Sequence, residues 1–156
     1  MAVAALTVAA AACSHDSGGV AKPKQQKVLE VGLDASGNGA CLMVDDTLPP
    51  EVDKLPVAAC DAPHNYEVFA TITYDSAGQP TDVYPGLSAL NDFARTACFG
   101  AFEPYVGISA FDSQLVPTWL VPTLKGWNDK KDRTILCVLN DPKSDTVNTS
   151  LRNSKI

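Results

Sequence analysis

Four cysteines, Cys41, Cys60, Cys98 and Cys137, are spread through the body of this chain, and a fifth, Cys13, closes an apolar run at its start. None of the four forms a C-x-x-C pair of the kind that holds a metal, so a reducing compartment would leave them as stranded thiols. One cysteine with a separate task and four that can pair is the arithmetic of an exported domain stapled by two disulfides. The covalent frame therefore constrains the fold more than any other feature.

Cys13 follows an uncharged, alanine-rich run over residues 2–12. Such a run is too short for a bilayer span, which needs roughly 20 apolar residues, but it matches the apolar region of a secretory signal. Ala10, Ala11 and Ala12 precede Cys13, and polar Ser14 follows it. This is the pattern of a bacterial lipoprotein signal, in which the cysteine becomes the lipid-modified first residue of the mature protein. The run lacks a basic residue ahead of it, and Ala10 stands where such signals more often carry leucine. The expected location is the extracytoplasmic face of the cell membrane, with secretion as the alternative.

Removing the leader and the polar stretches leaves roughly 115 residues, enough for one domain with a single core. Charged residues make up 19% and hydrophobic residues 46%, a globular balance. The net charge of −6 and pI near 4.7 exclude a basic nucleic-acid-binding face and a surface that grips anionic lipid directly.

The expected domain plan runs 1–13 leader, 14–27 flexible tether, 28–140 folded domain and 141–156 polar tail. The tether is rich in Ser, Gly, Lys, Gln and Pro and cannot bury enough surface to order itself, and the tail is expected to be similarly loose. Residues 28–31, 41–44 and 57–60 are short strand candidates, and Pro49, Pro50 and Pro56 exclude a helix between them. Residues 67–74 alternate most clearly, with Val68, Ala70, Ile72 and Tyr74 on one side and Glu67, Phe69, Thr71 and Thr73 on the other. After Tyr84-Pro85-Gly86 the period changes. Leu87, Leu90, Phe93, Ala94, Ala97, Cys98 and Ala101 recur at three- and four-residue steps, which lines one face of a helix. Residues 114–121 and 133–139 are two further strands, joined by a polar link over 126–132, and Ile135, Cys137 and Leu139 share a face of the last. Strands, one main helix, then strands make an α+β fold with a small, mainly antiparallel sheet.

Cys41, then Val57-Ala-Ala-Cys60-Asp-Ala-Pro63-His64-Asn-Tyr-Glu67-Val68-Phe69-Ala70, then Tyr84-Pro85-Gly86 ahead of a helix with Cys98, then Pro122, Trp127, Arg133 and Cys137, stand in a familiar order. Over residues 39–140 the chain resembles the septum-formation domain of actinobacterial membrane-anchored and secreted proteins. The strongest parts are Cys60 to Val68 and the Trp…Arg-x-x-x-Cys ending. The resemblance implies an association with cell division and no enzymatic activity. This chain departs from the usual Trp-x-x-Gly-[Asp/Glu]-Arg ending by placing Asp129-Lys130-Lys131-Asp132 where a glycine turn is expected.

Four cysteines permit three pairings, and sequence alone does not choose among them. Cys41–Cys60 with Cys98–Cys137 is favoured because each pair joins adjacent segments and the second ties the helix to the last strand. Loop-closure entropy puts the two bridges at very roughly 3–4 kcal/mol each, a large share of a 5–15 kcal/mol stability.

His64 and Glu67 are the one pair with a chemical look, but three residues apart on a strand they face opposite ways and could meet only across a turn at 63–66. A zinc site needs three or four ligands, the other histidine, His15, lies in the tether, and the cysteines are committed to pairing. No metal and no cofactor are expected. His64 is expected to bond a neighbouring carbonyl, and Glu67 to pair with a surface cation such as Arg133 or Arg95. No G-x-S-x-G nucleophile motif and no Gly-rich phosphate loop is present. Trp119, Trp127, Tyr84 and Tyr105 could line a sugar or peptide groove, or could serve as packing.

The expected function is a lipid-anchored, non-enzymatic interaction or accessory domain at the cell envelope, with a protein partner and a link to septum formation. The alternatives are a ligand- or glycan-binding lipoprotein and, third, an envelope hydrolase centred on His64 and Glu67. Cys98→Ser is expected to unfold or deplete the protein, whereas Cys13→Ala only detaches it from the membrane. Detergent partitioning and cellular abundance separate the two effects, and a Cys13→Ala protein that stays in the detergent phase contradicts the lipid assignment.

Overall fold

The computed structural model describes residues 28–29, 39–45, 48, 55–75 and 82–156. The expected leader with Cys13 and the tether at 14–27 lie outside the described residues. Among the described residues six strands are formed: β1 (Val28–Leu29), β2 (Cys41–Leu42), β3 (Leu55–Ala58), β4 (Tyr66–Thr73), β5 (Val116–Leu120) and β6 (Thr134–Asn140). The helices are α1 (Leu87–Val106) and α2 (Leu124–Asp129). The order across the sheet is β1-β3-β2-β4-β6-β5, and every neighbouring pair is antiparallel. Five strands carry the sheet and β1 adds a two-residue edge, so the fold is α+β with one main helix.

β4 and β6 form the centre. β6 reads Thr-Ile-Leu-Cys-Val-Leu-Asn, and its five middle residues are all buried, Ile135, Cys137 and Leu139 on one face and Leu136 and Val138 on the other. A continuous apolar run of this kind is what a strand covered on both faces requires. The alternation expected along β4 breaks in the middle. Glu67 pairs with Leu139 and Val68 with Val138, but Cys137 pairs with Ala70, so Phe69 is an extra residue in a β-bulge. An inserted residue inverts the side on which everything beyond it points. Phe69 therefore joins Ala70, Ile72 and Tyr74 in the core beneath α1, while Val68 packs with Leu42, Leu136 and Val138 on the opposite face.

α1 buries Leu90, Ala94, Cys98, Phe102, Tyr105 and Val106, at the three- and four-residue spacing of one helical face. The stripe runs a further turn beyond Ala101, past the exposed Pro104, because Phe102 and Tyr105 meet the Phe69 ring at centroid distances of 5.7 and 6.1 Å. Leu87 departs from expectation: it is 59% exposed at the helix start. Gly107 ends α1 in the left-handed region at φ 91°, its N–H bonded to the Glu103 carbonyl. The expected polar link at 126–132 overlaps the short helix α2, which begins at Leu124 and has no periodic signal in the sequence. Thr123 caps α2 by accepting a bond from Gly126 N–H at 3.0 Å, and Lys131 beyond it takes φ 56°, the conformation of the expected glycine. Holding lysine there costs of order 1 kcal/mol.

Two disulfides brace this frame. Cys98 of α1 is bonded to Cys137 of β6 and Cys41 of β2 to Cys60, across 39 and 19 residues of chain. The first pins the helix onto the central strand within the core, with both cysteines fully enclosed.

Residues 141–156 are not the loose tail that their composition suggested. Val147 and His64 exchange backbone hydrogen bonds of 3.0 and 2.8 Å, and Leu151 is buried in the main core. Asn153 N–H bonds the Tyr105 carbonyl and Lys155 N–H the Val106 carbonyl, at 2.8 and 3.0 Å, occupying carbonyls that the end of α1 would otherwise leave open. Composition misled because backbone groups, one leucine and the Ser150 hydroxyl do the binding, while most of the charged side chains of the segment are exposed. Among the described residues no helix is long and apolar enough to cross a membrane.

Deleting residues 147–156 is expected to lower the denaturant midpoint sharply, because it exposes Glu67 and the end of α1 together. Equilibrium unfolding followed by tryptophan emission measures this, and an unchanged midpoint would mean that the segment is dispensable.

Candidate functional site

His64 and Glu67 do meet. Residues 60–63 turn ahead of β4, and His64 sits outside the strand, bridged to Val147, so the opposite-face rule for strand neighbours does not apply. His64 Nε2 lies 3.7 Å from Glu67 Oε2, and both side chains are fully buried. His64 Nδ1 is 2.8 Å from the Ala62 carbonyl, which orients the ring through its Nδ1–H, as expected.

Glu67 is not paired to Arg133 or Arg95. Its carboxylate points under α1, where Tyr105 Oη–H and Ser150 Oγ–H both donate to Oε1, the latter at 2.7 Å, and Leu151 N–H donates to Oε2 at 2.8 Å. A buried charge is tolerated only with such donors around it. Arg133 instead lies over the Trp127 ring, 3.5 Å from its centroid, and donates to the Trp127 and Asp132 carbonyls. Arg95 pairs with Asp92 on the exposed face of α1. Burial, then the Glu67 carboxylate, pushes the Tyr105 hydroxyl well above its ordinary range near 10. The Cys41 sulfur is 3.7 Å from Glu67 Oε2, and the potential ligand atoms of Cys41, His64 and Glu67 all lie within 4.8 Å of one another. With Cys41 bonded to Cys60, that sulfur is no thiolate, and only two metal ligands remain in the oxidised protein.

The aromatic residues divide. Trp127 is fully buried, edge-on to Tyr74 and Tyr84, and Tyr105 is buried against Phe69, so neither offers a free face. Trp119, from β5, is partly exposed and donates its Nε1–H to Asn91 Oδ1 of α1 at 2.8 Å. With Tyr84, Leu87, Asn91, Val121 and Leu124 it lines an open, largely apolar groove of about 620 Å³ between the start of α1 and the start of α2. Leu87 and Leu124, 59% and 55% exposed, form its rim. The groove explains why Leu87 leaves the buried stripe.

The family model for septum formation matches residues 38–155. The chain belongs to the septum-formation family. The match runs beyond residue 140, where the sequence resemblance stops, and takes in the returning segment that holds Ser150 and Leu151. No curated protein and no solved structure gives a significant match. Tyr105, Ser150 and Leu151 are partners of Glu67 that the sequence does not reveal, because nothing local to Glu67 marks donors 38, 83 and 84 residues away. A carboxylate among the apolar residues of the clearest strand was the available signal of a buried, partnered acid.

The Tyr105 shift sets a direction for pH dependence. A hydroxyl whose folded pKa is raised contributes stability that is complete below pH 10 and lost as pH climbs towards the folded value, because only the unfolded state releases the proton early. The thermal midpoint is expected to fall above pH 10, and Tyr105→Phe to flatten that fall while lowering the midpoint at pH 7. An identical alkaline slope in the variant would remove Tyr105 from the account.

Proposed function

We propose that this septum-formation-family protein is a non-enzymatic interaction domain, tethered by a lipid on Cys13 to the outer face of the cell membrane and serving an envelope partner during septum formation. Family membership supports the link to septum formation, and the two disulfides point to an extracytoplasmic location. The observation that carries the non-enzymatic reading is the state of His64 and Glu67. The His64–Glu67 pair is fully buried, and both carboxylate oxygens are engaged in holding the fold. A general acid or base needs reach to a substrate proton, and this pair faces protein on every side.

The Trp119 groove favours a second reading, ligand or glycan binding, at the same surface. A concave apolar site with an aromatic wall and few polar groups is the usual form of a small-ligand pocket. The two readings separate by experiment. Proximity labelling from the anchored protein in growing cells is expected to recover a reproducible envelope protein, and its loss in Trp119→Ala identifies the groove as the contact. Cell-wall fragments that shift tryptophan emission in the wild type but not in Trp119→Phe support the ligand reading instead. Trp127, being enclosed, serves as the internal reference.

A further inference from the structure

We propose that the cluster around Glu67 is a latent zinc site gated by the Cys41–Cys60 bridge, in which reduction supplies a Cys₂HisGlu ligand set of Cys41, Cys60, His64 and Glu67.

The hydrogen bonding leaves room for one cation. Glu67 Oε1 accepts from both Tyr105 and Ser150, which fills its two acceptor sites. Oε2 accepts only from Leu151 N–H, so it keeps one lone pair, with His64 Nε2 and the Cys41 sulfur each 3.7 Å away. His64 Nε2 is buried and has no hydrogen-bond partner. With its Nδ1–H held by the Ala62 carbonyl, the ring in its neutral form carries its lone pair on Nε2, the nitrogen that lies beside the carboxylate. Two acceptors facing one another in a dry interior call for a positive centre between them. A histidine pinned through one nitrogen to a carbonyl, with the other nitrogen open, is also how metal-binding imidazoles are oriented.

The distances suit zinc. Bonds of about 2.3 Å to sulfur and about 2.0–2.2 Å to nitrogen and oxygen place tetrahedral ligands about 3.3–3.8 Å apart. The three ligand atoms already lie within 4.8 Å of one another, and Cys60 is bonded to the first. Cys41 and Glu67 are cross-strand partners in the β2–β4 register, so backbone pairing keeps them together when the bridge opens.

Access is selective. Cys60 is partly exposed at the turn after β3, whereas Cys98 and Cys137 are fully enclosed. An attacking thiolate therefore reaches the first bridge and not the second. The donor is a dithiol: two electrons and two protons pass to the Cys41–Cys60 bridge, the donor becomes a disulfide, and zinc then displaces both thiol protons.

The test uses the full chain purified with both bridges intact. Graded dithiol reduction is followed by alkylation mapping and by zinc equilibrium dialysis with a competing chelator. The expected result is one zinc per reduced chain and none per oxidised chain, with Cys41 and Cys60 shielded from alkylation by zinc and the Cys98–Cys137 bridge retained. His64→Gln is expected to weaken zinc by more than the roughly 10–100-fold that loss of an outer-shell partner costs. Should that variant not fold, Co²⁺ in the reduced wild type decides: intense tetrahedral bands with thiolate charge transfer support the site, and a pale octahedral spectrum overturns it. Equal zinc affinity in folded His64→Gln, or undiminished affinity in denaturant, also overturns it, since either means capture by free thiols alone.

Discussion

The carboxylate of Glu67 is the point on which the rest of the structure converges. Left without donors, a buried charge of this kind would cost several kcal/mol, so the fold is admissible only when its partners arrive. Those donors come from two distant places: Tyr105 from the end of α1, and Ser150 with the Leu151 backbone from the returning terminus. One side chain thereby couples the central strand, the main helix and the last residues of the chain. The requirement is mutual, since the terminus has little apolar surface of its own beyond Leu151 and is held largely by what it donates.

Around that point the two disulfides play different parts. Cys98–Cys137 lies inside the core, between helix and central strand, and reinforces packing that Phe102, Ile135 and Leu139 already supply. Cys41–Cys60 lies against the polar cluster and holds the turn that brings His64 to Glu67. One bridge is therefore buried among hydrocarbon and the other borders a set of ligating atoms. Their chemistry differs accordingly, because thiol exchange follows access.

The interior acid–base pair and the surface groove divide the labour that the sequence could not assign. His64 and Glu67 are enclosed, whereas Trp119 stands in an open wall with Leu87 and Leu124 beside it. On an open wall of this kind side chains can vary without cost to the core. The bulge at Phe69 contributes indirectly. By turning Phe69, Ala70, Ile72 and Tyr74 onto the helix side, it builds the floor on which α1 and Trp127 rest, and these frame the groove.

The sequence by itself determined the elements with strong local signals. The apolar β6 run, the helical stripe around Leu90, Ala94 and Cys98, and the even set of cysteines are properties of short segments and of composition, and so is the family resemblance at Cys60 to Val68. Tertiary structure alone decided the rest. The Phe69 bulge exists because β4 must match β6 in register, and no residue in β4 announces it. The short α2 helix depends on a Thr123 cap and on Trp127 finding its aromatic neighbours. Ser150 and Leu151 meet Glu67 across more than eighty residues of chain, so a polar terminus looked unattached. Periodicity reports which side of an element is apolar; it cannot report which distant donor satisfies a buried charge, because that contact is made only when the chain closes on itself.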